Sequence, residues 1–199
     1  MLADLCYEGD LDQFSTRLLT RLGYRVVASS RVSESLELEG LRVVPRVTVR
    51  RGELPVRGFK GVRVLLVESE KDLKAYQRLR GLVDSVRVDY ERLGDVDKDF
   101  IRRLVGLSLP VELVFTDLLR KVLGRSSIDF HLLLLRLYTR GRLRVYLCSG
   151  AGSAGEIAHP EAMASLLTSL GVPEPYALGA VYRIPEVVLE GCYLRYSQS

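Results

Sequence analysis

The sequence predicts an α/β fold, a single-domain, trimmed or distorted TIM-like (β/α) barrel with about seven mostly parallel strands. Short, β-branched apolar runs alternate with amphipathic helical patterns along the whole chain, as in successive βαβ units. The 199 residues suit one domain, 1–199, with a substantial core. Because a complete eight-fold barrel usually needs about 250 residues, a barrel of this length must lack some of its parts.

The first half of the chain supplies four of the predicted strands, at 2–6, 24–28, 41–49 and 61–67. Between the first two, Asp10 is predicted to cap a helix that ends at Gly23. The segment 41–63 is the most basic of the chain, and its glycine and proline residues favour a hairpin-like connection. It is either a phosphate-binding ribbon or an edge strand kept soluble by charge.

The second half adds strands at 85–89, 111–115 and 144–148. Ser69, with Asp72 three residues later, is predicted to cap the first helix of this half. Further helices are predicted over 96–107 and over 116–123, and Ser126, with Asp129 three residues later, is predicted to cap a helix that runs to Tyr138. The last one begins at Pro160 and ends before Gly171, and 191–199 is predicted to be a C-terminal tail.

A glycine-rich loop, 149–155, joins the last strand to the last helix and matches the pattern G-x-G-x-x-G. A dinucleotide fingerprint is rejected because Pro160 starts the helix several residues too late for the glycines to open it. Two interpretations remain. Backbone N–H groups of the loop could hold a phosphate, or the loop is a tight turn that needs small residues. The phosphate candidates are Ser149, Gly150, Gly152 and Ser153.

The C-terminal third carries a family signature, with Ser149-Gly150-Ala151, Pro160, Leu170-Gly171, Pro185 and Leu189 in order. These residues resemble ribonuclease P protein component 3 of archaea and eukaryotes. Asp4-Leu5-Cys6, Leu22-Gly23-Tyr24 and the run from Asp117 to Arg125 are also similar to that family. The chain departs from it at Cys148, where the family has Ser, and at Ala158-His159, where it has Arg-Ser.

The resemblance implies a barrel related to the polymerase-and-histidinol-phosphatase hydrolases. It implies a protein subunit of ribonuclease P that stabilises the catalytic RNA during 5′-leader removal from precursor tRNA. The RNA would cleave with bound magnesium, this chain would hold no cofactor or catalytic residue, and component 2 and other ribonuclease P proteins would be its partners. Arg125 is carried over from the family as an RNA contact. Charge and placement add Lys121, Arg78, Arg80, Arg87, Arg46, Arg50 and Arg51.

The composition fits an anionic partner, since the formal net charge is +4 and arginine supplies most of the positive charge. No apolar run reaches membrane-spanning length and no signal peptide is recognisable, so a cytoplasmic protein is expected. The chain has three cysteines. Cys6 and Cys148 lie in predicted strands and are expected to be buried and reduced.

Catalytic and metal-binding patterns are sparse. The chain has only two histidines, too few for a typical hydrolase metal cluster, so no metal site is predicted. Glu68, Asp89 and Glu112 lie at strand ends, where they could act as acid and base or pair with arginines. Ser149 or Ser153 with His159 is the possible nucleophile arrangement. The alternative function is therefore a metal-independent barrel enzyme acting on a phosphorylated small molecule.

Overall fold

A computed structural model describes residues 1–51, 53, 59–76, 81–93, 96–124 and 127–196. Its centre is a sheet of seven parallel strands that curves into a nearly closed barrel, so the predicted fold is confirmed. The strands follow one another in space as in the chain: β1 Ala3–Tyr7, β2 Val26–Ser29, β4 Leu41–Val49, β5 Val62–Val67, β6 Ser85–Val88, β7 Pro110–Val114 and β8 Arg144–Cys148. A three-residue strand, β3 (Leu36–Leu38), pairs antiparallel with β4 and was not predicted.

The predicted hairpin at 41–63 is wrong. β4 and β5 pair in parallel, with Arg46 opposite Val62, so the chain between them must cross over from one end of the barrel to the other. Arg50 and Arg51 lie exposed just after β4. The remaining residues of the predicted connection, 52 and 54–58, lie outside the described part of the chain.

Helices pack around the barrel, and several predicted ends are confirmed. The described α-helices are α1 Gln13–Arg21, α2 Glu70–Ala75, α3 Tyr90–Leu93, α4 Lys98–Gly106, α5 Phe115–Gly124, α6 Asp129–Thr139, α7 Pro160–Ser169, α8 Glu174–Leu178 and α9 Ile184–Tyr196. The Asp72 carboxylate accepts from the Ser69 N–H at 2.7 Å, as a capping box requires. Asp12, not Asp10, caps α1. Gly171 adopts a φ of 86° after α7, which explains the glycine there.

β8 and β1 face each other across the seam of the barrel, and the described residues show no backbone ladder between them. A Cys6–Cys148 disulfide joins the two strands covalently. The Ala151 carbonyl accepts from the N–H groups of Glu8 and Gly9 at 2.9 and 3.0 Å. Within the described residues, the seam is therefore held by the disulfide, by these loop hydrogen bonds and by hydrogen bonds from Ser149 to Asp4 of β1.

The expectation of reduced cysteines is wrong, although both are buried as predicted. The two residues are 142 positions apart, and their Cα atoms approach to 5.7 Å only because the curved sheet brings its first and last strands together. Nothing local in the sequence reports that approach.

The helix α9 closes the amino-terminal end of the barrel. Its side chains pack against the first residues of several strands; the members of this cluster include Val188, Leu189 and Cys192 with Ala3, Val26 and Val62. The predicted tail at 191–199 is thus wrong for 191–196, which continue the helix, whereas 197–199 lie outside the described residues. Among the described helices, none combines the length and apolar character needed to cross a bilayer.

Candidate functional site: the barrel mouth and a basic edge

A buried charge network lies inside the barrel. Both guanidinium Nη atoms of Arg46 donate to the Glu112 carboxylate, at 2.8 and 2.9 Å. The Arg87 Nε lies 3.0 Å from the same carboxylate, and the Tyr146 hydroxyl donates to it at 2.5 Å. Strand pairing explains why Arg87 and Tyr146 contact Glu112, because both are in register with Glu112 on the neighbouring strands. Glu112 is 2 % exposed and Arg46 is 6 % exposed.

The network fixes the charge of its members. Burial alone would raise the pKa of Glu112, but the Arg46 and Arg87 guanidinium groups outweigh it and hold that pKa below its usual value. Burial and the neighbouring carboxylate raise the pKa of Tyr146 well above its ordinary value, so it remains a donor. Glu112 is therefore a carboxylate anion that is ion-paired with both Arg46 and Arg87. It is not available as a general base.

The prediction that Arg46 contacts RNA is wrong. Its side chain points into the barrel, where the Glu112 carboxylate already takes both Nη atoms. β4 alternates between its two faces, and Arg46 belongs to the inner one. Of the two roles considered for Glu68 and Asp89, catalysis or pairing with arginines, the structure shows pairing. Arg92 lies 2.6 Å from Glu68 and 3.4 Å from Asp89.

A cavity of about 570 Å³ opens above this network, at the carboxyl ends of β5, β6 and β7. We call it the mouth cleft. Its lining combines three cations, four carboxylates and three aromatic rings: Arg87, Arg120 and Lys121; Asp89, Glu91, Glu112 and Asp117; Tyr90, Phe130 and His131. Ligands of parallel barrels bind at this end of the strands.

The cations of the mouth cleft differ in how firmly they are held. Arg87 is fixed by Glu112 at the cleft floor, and Lys121 lies 4.2 Å from the Tyr90 ring centre and 3.1 Å from Glu91. Arg120 makes only loose pairs, 3.7 Å from Asp117 and 3.7 Å from Glu156, and its side chain is 69 % exposed. Arg120 is thus the cation most available to a ligand.

His131 is buried on the cleft wall, edge-on to Tyr90 at 4.7 Å between ring centres. Its Nδ1 has no hydrogen-bond partner among the described residues. Burial, with a smaller contribution from Lys121, lowers its pKa to about 4, so the ring is neutral near pH 7. A buried polar nitrogen without a partner is uncommon in folded proteins and calls for an explanation.

We expect the free energy of unfolding to fall as the pH drops from 6.5 towards 4. In that range the unfolded chain binds a proton that the buried His131 ring does not. Denaturant unfolding at pH about 7 and about 5 should show that His131→Leu removes roughly 2 kcal/mol of this loss. His159→Ala, at an exposed histidine, is the control. Equal pH dependence in the wild type and His131→Leu would contradict the assignment.

The structure brings two predicted RNA contacts, Arg87 and Lys121, into the mouth cleft. Both already have intramolecular carboxylate partners. Arg125, Arg78 and Arg80 lie outside the described residues, so their role stays a prediction.

Sequence reasoning missed a second positive surface, which we call the basic edge: Arg136, Arg140, Arg142 and Arg144, from the end of α6 to the start of β8. All four are exposed, and none has a carboxylate partner in the part of the chain that the structure describes. Arg144 donates to the Ser108 carbonyl. The signal was available, because no acidic residue occurs between Asp129 and Glu156.

The backbone donors in the first part of the glycine-rich loop, residues 149–152, are occupied. The N–H groups of Gly150 and Ala151 donate to Cys6 Sγ and Ser149 Oγ, and that of Gly152 donates to the Glu156 carboxylate at 2.8 Å. A carboxylate at this position would repel a phosphate. The geometry favours the tight-turn interpretation, and the phosphate role of Ser149, Gly150, Gly152 and Ser153 stays a prediction without structural support.

The possible nucleophile and metal ligands of this loop are also engaged. Ser149 donates through its N–H and hydroxyl to the buried Asp4 carboxylate, and His159 Nδ1 accepts from the Glu161 N–H at the start of α7. The groups of Asp4, Cys6 and Cys148 that could bind a metal lie within 4.8 Å of one another. The two sulfurs are joined in the disulfide, so they offer no thiolate to a metal.

Comparisons with known proteins define the fold and no more. No protein-family model matches the sequence. No curated protein matches it either. Among solved structures, the chain is similar to a chain in the cryo-EM structure of archaeal ribonuclease P with mature tRNA. The TM-score is 0.71 at 18 % sequence identity, and the match covers 96 % of this chain and 90 % of that one. This chain therefore shares the fold of a protein in that assembly over almost its entire length.

Proposed function

We propose that this chain is the component 3 type of protein subunit of ribonuclease P. In this proposal it binds and stabilises the catalytic RNA for 5′-leader removal from precursor tRNA, and the RNA performs the cleavage with its bound magnesium. Component 2 and other ribonuclease P proteins would be its partners in the assembly. The chain itself would contribute no catalytic group.

The fold match carries the proposal. It extends over 96 % of the chain, and the similar chain belongs to a ribonuclease P complex that contains tRNA. The family signature from Ser149 to Leu189 supports it from the sequence side. That signature covers the loop directly after β8, the helices α7 and α8, and the beginning of α9.

The distribution of arginines supports an RNA-binding role. Several exposed basic side chains have a nearby carboxylate, as Arg17 has Glu39 and Arg102 has Asp99. The basic edge places four exposed arginines within residues 136–144, and none of the four has such a partner within the described residues. Unpaired guanidinium groups on an exposed edge suit phosphate oxygens, which they contact through paired N–H donors. We assign the basic edge as an RNA contact.

We expect the triple variant Arg136→Gln, Arg140→Gln, Arg142→Gln to bind ribonuclease P RNA about 10- to 100-fold more weakly than the wild type at moderate salt. Its slope of log K against log salt should be smaller by about 2–3, since each lost phosphate contact removes 0.7–0.9 from the slope. Filter binding at several salt concentrations measures both quantities.

The matched control neutralises three arginines that already have carboxylate partners: Arg17→Gln, Arg102→Gln, Arg103→Gln. It changes the net charge equally, so it separates a local surface from a general charge effect. If both triple variants lose the same affinity and slope, the basic edge is not the contact surface. If the wild type shows no salt dependence, the RNA-binding proposal itself fails.

A further inference from the structure

We propose that the mouth cleft binds a single unstacked nucleotide, with its base beside Tyr90 and its phosphate at Arg120. The ligand chemistry is that of a nucleoside monophosphate, free or as one unpaired residue of an RNA. Binding of a free nucleotide does not depend on the proposed function, whereas binding of an unpaired RNA residue rests on the proposed function.

The mixed charge of the cleft selects this class of ligand. A bare phosphate would meet four carboxylates, and a lysine or arginine side chain would meet three cations. A nucleotide carries both complementary features, because its phosphate accepts from cations while its base amino group and ribose hydroxyls donate to carboxylates. The cavity of about 570 Å³ is within the size range of small-molecule sites.

The aromatic wall gives the base a place to pack. Tyr90 and Phe130 are inclined by only 28° with ring centres 6.1 Å apart, and both line the cleft. Bases of single-stranded nucleic acids bind proteins by stacking on such rings. The Lys121 ammonium group lies over the Tyr90 ring in this structure. We therefore expect a bound base either to displace Lys121 from the ring or to stack beside it.

The polar contacts have candidate residues at the rim. Arg120 has loose ion pairs and an exposed side chain, so it can reach a phosphate at little cost. Asp117 and Glu91 are likewise exposed, at 53 % and 72 % of their side chains, and can accept from amino or hydroxyl groups. His131 adds a buried nitrogen that has no hydrogen-bond partner among the described residues, as expected at a site built for a polar ligand.

The first test titrates the full chain with each of the four nucleoside 5′-monophosphates, with the corresponding nucleosides and with inorganic phosphate. We expect at least one monophosphate to bind with a stoichiometry of one per chain. Its affinity should be at least about tenfold higher than that of its nucleoside or of phosphate, which corresponds to a difference in binding free energy of about 1.4 kcal/mol. The imidazole nitrogen signals of His131 should shift on binding. If no monophosphate binds more tightly than phosphate alone, or if a basic peptide shifts the His131 signals and the nucleotides do not, the proposal is overturned.

The second test uses variants. Tyr90→Leu and Arg120→Gln should each weaken binding of the preferred monophosphate at least about tenfold, the loss expected for one stacking or phosphate contact. Tyr176→Leu and Arg102→Gln, an exposed aromatic and an exposed arginine outside the cleft, should leave it unchanged. Equal affinity in all four variants would overturn the assignment of the cleft.

The last test separates the two sources of the nucleotide. Ribonuclease P RNA containing photoreactive bases should crosslink near Tyr90, and the preferred monophosphate should suppress the crosslink if the RNA supplies the nucleotide. Binding of monophosphate without a crosslink assigns the cleft to a free nucleotide. RNA binding through the basic edge, with neither crosslink nor monophosphate binding, overturns the cleft proposal while the proposed function stands.

Discussion

Glu112→Ala is expected to destabilise the protein by about 3–5 kcal/mol, the usual loss when one member of a buried ion pair is removed. The substitution leaves Arg46 inside the barrel without its counter-charge, and it removes the carboxylate to which Tyr146 donates. Urea unfolding at pH 7 measures the loss. The exposed Glu161→Ala is the control and should change stability by less than about 0.5 kcal/mol.

A double variant tests the physical reason for this loss. Arg46→Met with Glu112→Leu removes both members of the most buried pair together, and the partly exposed Arg87 keeps Glu8 at 3.6 Å. Apolar replacement of a whole buried pair is often neutral or stabilising, and we expect the double variant to be clearly more stable than Glu112→Ala. A Glu112→Ala protein within about 1 kcal/mol of the wild type would contradict the network as described.

Removing the Cys6–Cys148 disulfide is expected to cost about 2–5 kcal/mol. The bond spans 142 residues, and long loops lose most chain entropy when they are closed in the unfolded state. The seam gives a second reason, because β1 and β8 share no backbone ladder that could replace it. We expect a dithiol reductant to lower the unfolding midpoint of the wild type.

The variant Cys6→Ala, Cys148→Ala is the matched comparison for this experiment. It should unfold at the midpoint of the reduced wild type, and adding reductant should not change it further. A wild type whose midpoint is insensitive to full reduction of the bond would show that the disulfide does not hold the seam.

Local sequence signals predicted most of the fold. The strand 144–148 has the predicted bounds, and the helix after it begins at Pro160, because neighbouring residues determine a strand end, a helix start and a glycine cap. Alternating strands and helices gave the parallel barrel. The hairpin prediction failed because glycine and proline report a turn but not whether the next strand returns antiparallel or crosses over.

The candidate site was predictable only in part. Lys121, Arg87 and Glu112 were identified as charged candidates, but barrel closure determines which carboxylate each cation meets. Arg46 and Glu112 are 66 residues apart, and Cys6 and Cys148 are 142 apart, so no local pattern reports either contact. The basic edge is different. The absence of acidic residues between Asp129 and Glu156 is visible in the sequence, whereas the exposure of the four arginines could be established only from the structure.

Reconstitution tests the central claim most directly. Precursor tRNA cleavage is measured with the ribonuclease P RNA and partner proteins of the same organism, with and without this chain, at limiting magnesium. The account predicts that adding the chain accelerates 5′-leader removal and that the triple variant of the basic edge restores much less activity than its charge-matched control. A cleavage rate that is the same with and without the chain, in an assembly that includes component 2, would contradict it.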